Sequence, residues 1–155
     1  MVPKEKKMSA LMGGETYSID SKGRVKLPSR LLKHLAAESD YTFVLTRGLD
    51  GCVFGYPMSE WQQVESKIRS LNQFDQKNRS FVRHFLMLSE EVTLDGQQRL
   101  LIPRKLMEFA GIKDEVTIVG VLDHIEFWNP SNYEKYIGLH DIEFDKISEE
   151  VMTRN

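Results

Sequence analysis

The chain has 155 residues, the length of one domain or two very small ones, which excludes a large multidomain enzyme. Hydrophobic residues make up 41% and charged residues 28%, enough apolar material for a core and no composition of a disordered, collagenous or membrane protein. Its 21 Lys and Arg against 23 Asp and Glu leave a net charge of -2, so binding to nucleic acid would require segregated charge or oligomerisation.

Residues 1–12 hold Lys4, Glu5, Lys6 and Lys7 without the apolar run of a signal peptide, and read as a flexible N-terminal tail. No stretch of about eighteen apolar residues follows, so neither secretion nor membrane association is expected. The single cysteine, Cys52, permits no internal disulfide and no multi-cysteine zinc site, which fits the cytoplasm.

Glu15 to Asp20 and Arg24 to Leu27 alternate around Asp20-Ser-Lys-Gly-Arg24 and predict a β-hairpin. Gly23 supplies the positive φ of a tight turn, and the Asp20 carboxylate can cap the turn's N–H groups. Pro28 then opens a short helix through Arg30, Leu31, Leu32 and Leu35. Tyr41 to Leu45 and Cys52 to Phe54 read as strands. Ser59-Glu-Trp-Gln62 has the pattern of a capping box, and Trp61, Val64, Ile68 and Leu71 predict an amphipathic helix. Beyond a polar turn at 72–75, Phe81, Val82, Phe85 and Leu86 make a second apolar face, so 58–88 form a helical hairpin spacer.

From there the chain repeats itself. At an offset of 75, Asp20, Arg24, Pro28 and Leu31 meet Asp95, Arg99, Pro103 and Leu106, and the apolar Ile19, Val25 and Leu27 meet Leu94, Leu100 and Ile102. Beyond Val44 and Val119 the offset becomes 73, with Leu49, Asp50, Phe54 and Pro57 on Leu122, Asp123, Phe127 and Pro130. The unit spans 13–57 and again 89–132, where Gly111 stops the helix after Pro103 and Val116 to Val119 and Ile125 to Trp128 are strands. A further helix is expected after Pro130. Residues 133–155 form a C-terminal helix and acidic tail, whose order the sequence leaves open although Phe144, Ile147 and Val151 can line one face.

The duplicated Asp20/Arg24 and Asp95/Arg99 have two readings. One is a pair that braces the turn. The other takes in the neighbours: Lys22, Arg24, Lys26, Arg30 and Lys33 against Glu15 and Asp20 give residues 15–35 a net charge of +3, whereas residues 90–110 carry -1. Basic charge on the first hairpin suits contact with phosphate or a guanine edge, and a two-stranded ribbon fits the major groove. Lys22 and Arg24 are the primary candidates, Lys26 and Arg30 secondary, and Asp20, Gly23 and Asp95 hold the turns. Cys52 reads as a buried structural thiol. His34, His84, His124 and His140 show no metal-ligand spacing, no phosphate loop or paired catalytic carboxylates are found, and no cofactor, metal or enzymatic activity is expected.

Gly14-Glu15, Tyr17, Asp20-Ser-Lys-Gly-Arg24 and Pro28, echoed by Asp95-Gly-Gln-Gln-Arg99-Leu-Leu-Ile-Pro103 and by Val119-Gly120 before Phe127-Trp128, resemble the MraZ family of bacterial transcriptional regulators over about residues 12–137. That resemblance implies two tandem AbrB-like (SpoVT-AbrB) modules in a mainly β fold with short helices, a swapped-hairpin, double-split β-barrel. It also implies a ring-shaped homo-oligomer in the nucleoid that binds double-stranded DNA at short direct repeats upstream of the division and cell-wall gene cluster. Lys22 and Arg24 fall on the family's DNA-contacting positions, with Arg99 as a weaker candidate because Gln97 and Gln98 stand where the first motif has Lys22 and Gly23. The competing reading is an antitoxin-like interaction module whose C-terminal tail binds a partner protein.

Overall fold

The computed structural model describes residues 10–33, 40–141 and 143–153. The elements run β1 (Gly14–Ser18), β2 (Arg24–Lys26), α1 (Ser29–Leu32), β3 (Thr42–Arg47), β4 (Val53–Pro57), α2 (Met58–Arg69) and α3 (Gln76–Met87). The second half follows as β5 (Glu90–Thr93), β6 (Arg99–Leu101), α4 (Arg104–Ala110), β7 (Glu115–Val121), β8 (His124–Trp128), α5 (Pro130–Asp141) and α6 (Phe144–Thr153). More residues lie in helices than in strands, so the fold is mixed α/β rather than mainly β. Helices α5 and α6 account for all of that excess.

The expected hairpins do not form as ladders. Asp20 and Arg24 close the first turn through Asp20 N–H to Arg24 C=O, yet β1 leaves to pair antiparallel with β7, while β2 pairs with β6. The second repeat does the same, with β5 pairing β3. The result is a six-stranded sheet in the order β1-β7-β8-β4-β3-β5 and a two-stranded ribbon β2-β6. Exchanging the repeats maps this order onto itself, because β4 and β8 meet at its centre and Val25 faces its own counterpart Leu100 in the ribbon.

Burial explains why strands are exchanged rather than kept. Val25, Leu27 and Leu31 of one repeat and Leu100, Ile102 and Leu106 of the other are all buried in a single cluster with Phe43, Ile118 and Phe127. A solitary repeat would leave both strands of its turn without ladder partners and half of this apolar surface in water. Leu11 belongs to the same core and bridges Leu122 by two backbone hydrogen bonds of 2.8 Å, so the tail expected over 1–12 ends before it. Residues 1–9 lie outside the described residues.

Local signals mostly act as their chemistry requires. Gly111 takes the left-handed conformation at the end of α4, and Asp75 caps α3 by accepting from Lys77 N–H. Pro28 and Pro103 sit one residue earlier than the first helical position, at the N-caps of α1 and α4. Ser59 is not the cap of α2, since the helix already begins at Met58 behind Pro57, whose fixed φ serves as the entry. Leu35 and His34 lie outside the described residues. Helices α2 and α3 cover the outer side of β3 and β4, with Trp61, Val64, Ile68 and Phe85 packed on Val44 and Tyr56. Helix α5 is anchored by the rings of Tyr133 and Tyr136 on Trp128. Among the described residues no helix is long and apolar enough to cross a membrane.

Candidate nucleic-acid interface

The two turns are built alike to the level of single atoms. Asp20 Oδ1 accepts from the backbone N–H of Lys22 and of Arg24, each at 2.9 Å, while Oδ2 accepts from Arg24 Nε at 2.7 Å. Asp95 repeats this with Gln97 N–H, Arg99 N–H and Arg99 Nε at 2.8 Å. An Asp side chain is short enough to reach back over its own turn, which is why both turns begin with it. The N–H groups and the guanidinium stabilise the charged form, the Arg24 N–H contributing most to Asp20, and hold its carboxyl at about 2; Asp95 is lowered for the same reasons.

Bracing the turn and facing outward are therefore compatible in Arg24 and Arg99. Each uses Nε for its own aspartate, and each side chain keeps more than a quarter of its surface exposed. Strand alternation settles the rest: Val25 and Leu100 point into the core, so Arg24 and Lys26 on β2 and Arg99 and Leu101 on β6 occupy the outward face of the ribbon. Lys26 lies across from Arg99, and Arg24 across from Leu101. Lys22 stands exposed at the tip of the first turn.

Gly23 is buried with φ +86°, and a Cβ there would sit 3.3 Å from Met107 Sδ. Its carbonyl accepts from Ile102 N–H at 3.0 Å, tying the first turn to the second repeat. Gln98 fills the equivalent position with φ 62°, a conformation that costs a residue with a side chain about 1 kcal/mol.

Arg30, the other secondary candidate, is turned toward the N-terminal segment. Its Nη1 donates to the Met12 carbonyl at 2.5 Å, the guanidinium lies against Gly13, and Nη2 is buried without a hydrogen-bond partner among the described residues. The residue closes the N-terminal segment over the core instead of joining the ribbon. Conversely, sequence reasoning missed Leu101, which is 48% exposed on the ribbon's outward face. Its signal was available: Leu101 is the counterpart of Lys26, an apolar residue where the first copy has a cation.

Cys52 is buried, its thiol donates to the Leu49 carbonyl, and burial together with the nearby Glu126 and Asp50 charges pushes its pKa up, the opposite of an activated nucleophile. The His124 ring lies tilted against those of Phe54 and Tyr56, with Nδ1 at 2.8 Å from Asp123 and Nε2 at 3.6 Å from Glu126. Burial alone would lower its pKa, but the two carboxylates outweigh it and the imidazole is raised. Among the described residues no three metal-ligating side chains gather.

Two interlocked copies of one turn around a common core, presenting a cationic two-stranded ribbon, define a tandem-repeat protein. A family model described as "MraZ protein, putative antitoxin-like" matches residues 10–84 and again 85–155. The "Transcriptional regulator MraZ" of Acetivibrio thermocellus is 40% identical over 139 residues, covering 90% of this chain and 94% of that protein. The protein of the same description from Pediococcus pentosaceus is 40% identical over 91% of this chain and 96% of its own, and that of Clostridium beijerinckii 38% over 90% and 95%. The chain belongs to the MraZ family; it is a transcriptional regulator of that family and not an enzyme.

Proposed function

We propose that this regulator binds duplex DNA sequence-specifically through the outward face of the β2–β6 ribbon, acting in the cytoplasm on the nucleoid. The observation that carries the reading is the register that gathers Arg24, Lys26 and Arg99 on one exposed face while Val25 and Leu100 anchor its back. Guanidinium forks at that spacing suit a guanine edge or phosphates, and Lys22 at the turn suits phosphate. Asp20, Gly23 and Asp95 keep the ends of the ribbon in place.

In this reading the two sheets are the halves of a swapped-hairpin, double-split barrel, with 13–57 and 89–132 as its repeats. A single ribbon gives weak contact, since non-specific binding through a few phosphates lies near ~10⁻⁴ to 10⁻⁶ M. A ring-shaped homo-oligomer reading short direct repeats upstream of the division and cell-wall gene cluster supplies the remaining affinity by effective concentration. The test is an anisotropy titration against the DNA upstream of the chain's own gene, with scrambled DNA as competitor. Selective, salt-sensitive binding that Arg24→Ala removes is the expected result; equal binding to both DNAs would sink the reading. The antitoxin-like alternative draws on the exposed apolar face of α6. It predicts a foreign protein that co-purifies with the chain and is lost, with DNA binding intact, on deleting residues 141–155.

A further inference from the structure

The two halves of the ribbon share a backbone arrangement but not a chemistry. Val25 faces its own counterpart Leu100, so exchange of the repeats relates Arg24 to Arg99 and Lys26 to Leu101. At the turn tips Lys22 answers to Gln97, and both are exposed. The first repeat thus offers three cations outward, Lys22, Arg24 and Lys26, whereas the second offers Arg99 with Gln97 and Leu101 in place of the other two.

Core packing accounts for the residues on either side of Leu101 but not for Leu101 itself. Leu100 and Ile102 are buried, while Leu101 keeps 48% of its surface open. Its position is nevertheless defined: a Cβ on Gly23 would lie 3.8 Å from Leu101 Cδ1, so the side chain sits beside the first turn. In register it lies directly across from Arg24 and on the same face. Opposed side chains of a ladder start about 4.5–5.5 Å apart, within two steps of stacked base pairs. An isobutyl group offers nothing to a phosphate. In the major groove, which a two-stranded ribbon fits, the apolar group that base edges present is the C5-methyl of thymine.

We propose that Leu101 is a specificity-determining residue that packs on the C5-methyl of a thymine beside the base contacted by Arg24. The inference rests on the DNA-binding reading of the ribbon and adds to it a base contact that carries no charge. Lys26 stands at the equivalent place in the first repeat, so the methyl is read on one side of the ribbon alone. An apolar contact on one side and a cation on the other give the bound ribbon a direction along the duplex.

The test removes the methyl and leaves base pairing intact. In the DNA that the chain selects from upstream of its own gene, each thymine is replaced in turn by deoxyuridine, and the affinity of the full chain is measured by anisotropy. One position per bound ribbon is expected to lose about 3- to 10-fold, the scale of one methyl group withdrawn from contact. Leu101→Ala is expected to bind the parent DNA more weakly by a similar factor and to be indifferent to deoxyuridine at that position, whereas Leu101→Met keeps the sensitivity. Leu101→Lys, which makes the two repeats alike, is expected to lose the sensitivity and to steepen the slope of log K against log salt by about 1. Melting curves confirm folding, and Leu101→Lys serves alone if Leu101→Ala unfolds. Selective, Arg24-dependent binding with no deoxyuridine-sensitive position, or a sensitivity that survives both replacements, overturns the role of Leu101 and leaves the ribbon reading standing. Binding without any selectivity overturns both.

Discussion

The Arg99 guanidinium of the second repeat lies 3.9 Å from the Asp20 carboxylate of the first. Asp20 thus holds Arg24 by a hydrogen bond and attracts Arg99 across the ribbon, so a single anion sets the spacing of two outward cations. Charge counting and positioning then predict opposite outcomes for Asp20→Asn. Removing a negative charge from a DNA-binding face should tighten non-specific binding. Loss of the brace should loosen both arginines and weaken selective binding. The expected result is a fall in the ratio of specific to scrambled-DNA affinity, read by competition anisotropy; an unchanged ratio with tighter overall binding would show that the carboxylate does not position the arginines.

Arg24 and Lys26 are neighbours but one apart on the same strand face, and they are expected to fail differently. Arg24→Ala should reduce specific affinity by about 10- to 100-fold, the range of a lost bidentate base contact, with a nearly unchanged thermal melt because its side chain is not in the core. Lys26→Ala should weaken specific and scrambled DNA alike and lower the slope of log K against log salt by about 1. Salt titrations of both variants separate the roles. A large drop in melting temperature for Arg24→Ala would make that arginine structural.

Stability should decline on both sides of neutrality for identifiable reasons. Asp20 has its carboxyl lowered from 3.8 to about 2, so its contribution is present above the ordinary value and is lost as pH falls through about 2. His124 is raised from 6.5, so its contribution is full below 6.5 and is lost as pH rises through the higher native value. Melting temperatures of wild type and His124→Gln should therefore differ most in mild acid and converge at alkaline pH, whereas wild type and Asp20→Asn should differ at neutral pH and converge in strong acid. Parallel curves for either pair would contradict the assignment.

The repeat, the turns and their aspartates were legible in the sequence because each depends on a few residues at fixed spacing. The partners of the strands were not readable from local pattern. Residues 15–20 and 24–27 alternate as a hairpin would, and the turn between them is hydrogen-bonded as a hairpin's would be, but β1 and β2 find their ladders 73 to 105 residues away. Only the matching apolar positions of two copies, Val25 with Leu100 and Leu27 with Ile102, carry that information. The hydrogen bond of Arg30 is illegible for a related reason: charge in a sequence window says nothing of which cation folds back on a carbonyl, and the Met12 carbonyl that accepts from it lies 18 residues upstream. Leu101 went unremarked because apolar residues are searched for as core, not as the apolar member of a cationic face.

Gly23 and Gln98 occupy one backbone conformation with different side chains, which makes an internal comparison possible. Gln98→Gly should stabilise the fold by about 0.5–1 kcal/mol, since it relieves the left-handed conformation at an exposed site. Gly23→Ala should destabilise it by more, because strain is joined by a contact with Met107 and with the Ile102 carbonyl. Urea denaturation of the two variants checks both signs. Equal and small effects would show that the turns tolerate either residue and that Gly23 is not needed for packing.

The strand exchange has a direct consequence for fragments. A chain ending at residue 88 keeps β1 without β7, β2 without β6, and β3 without β5, while Val25, Leu27 and Leu31 lose Leu100, Ile102 and Leu106. Such a fragment is expected to be unfolded as a monomer, because loss of these ladders and of half the shared core exceeds the few kcal/mol by which domains are stable. Two copies of it can still restore the arrangement, since the first repeat carries the same strand pattern as the second and Val25 could face Val25 where it now faces Leu100. Circular dichroism with dilution distinguishes the outcomes: structure that appears only with rising concentration supports a core that requires two repeats. A folded monomer at all concentrations would mean that β1 and β2 can pair with each other after all.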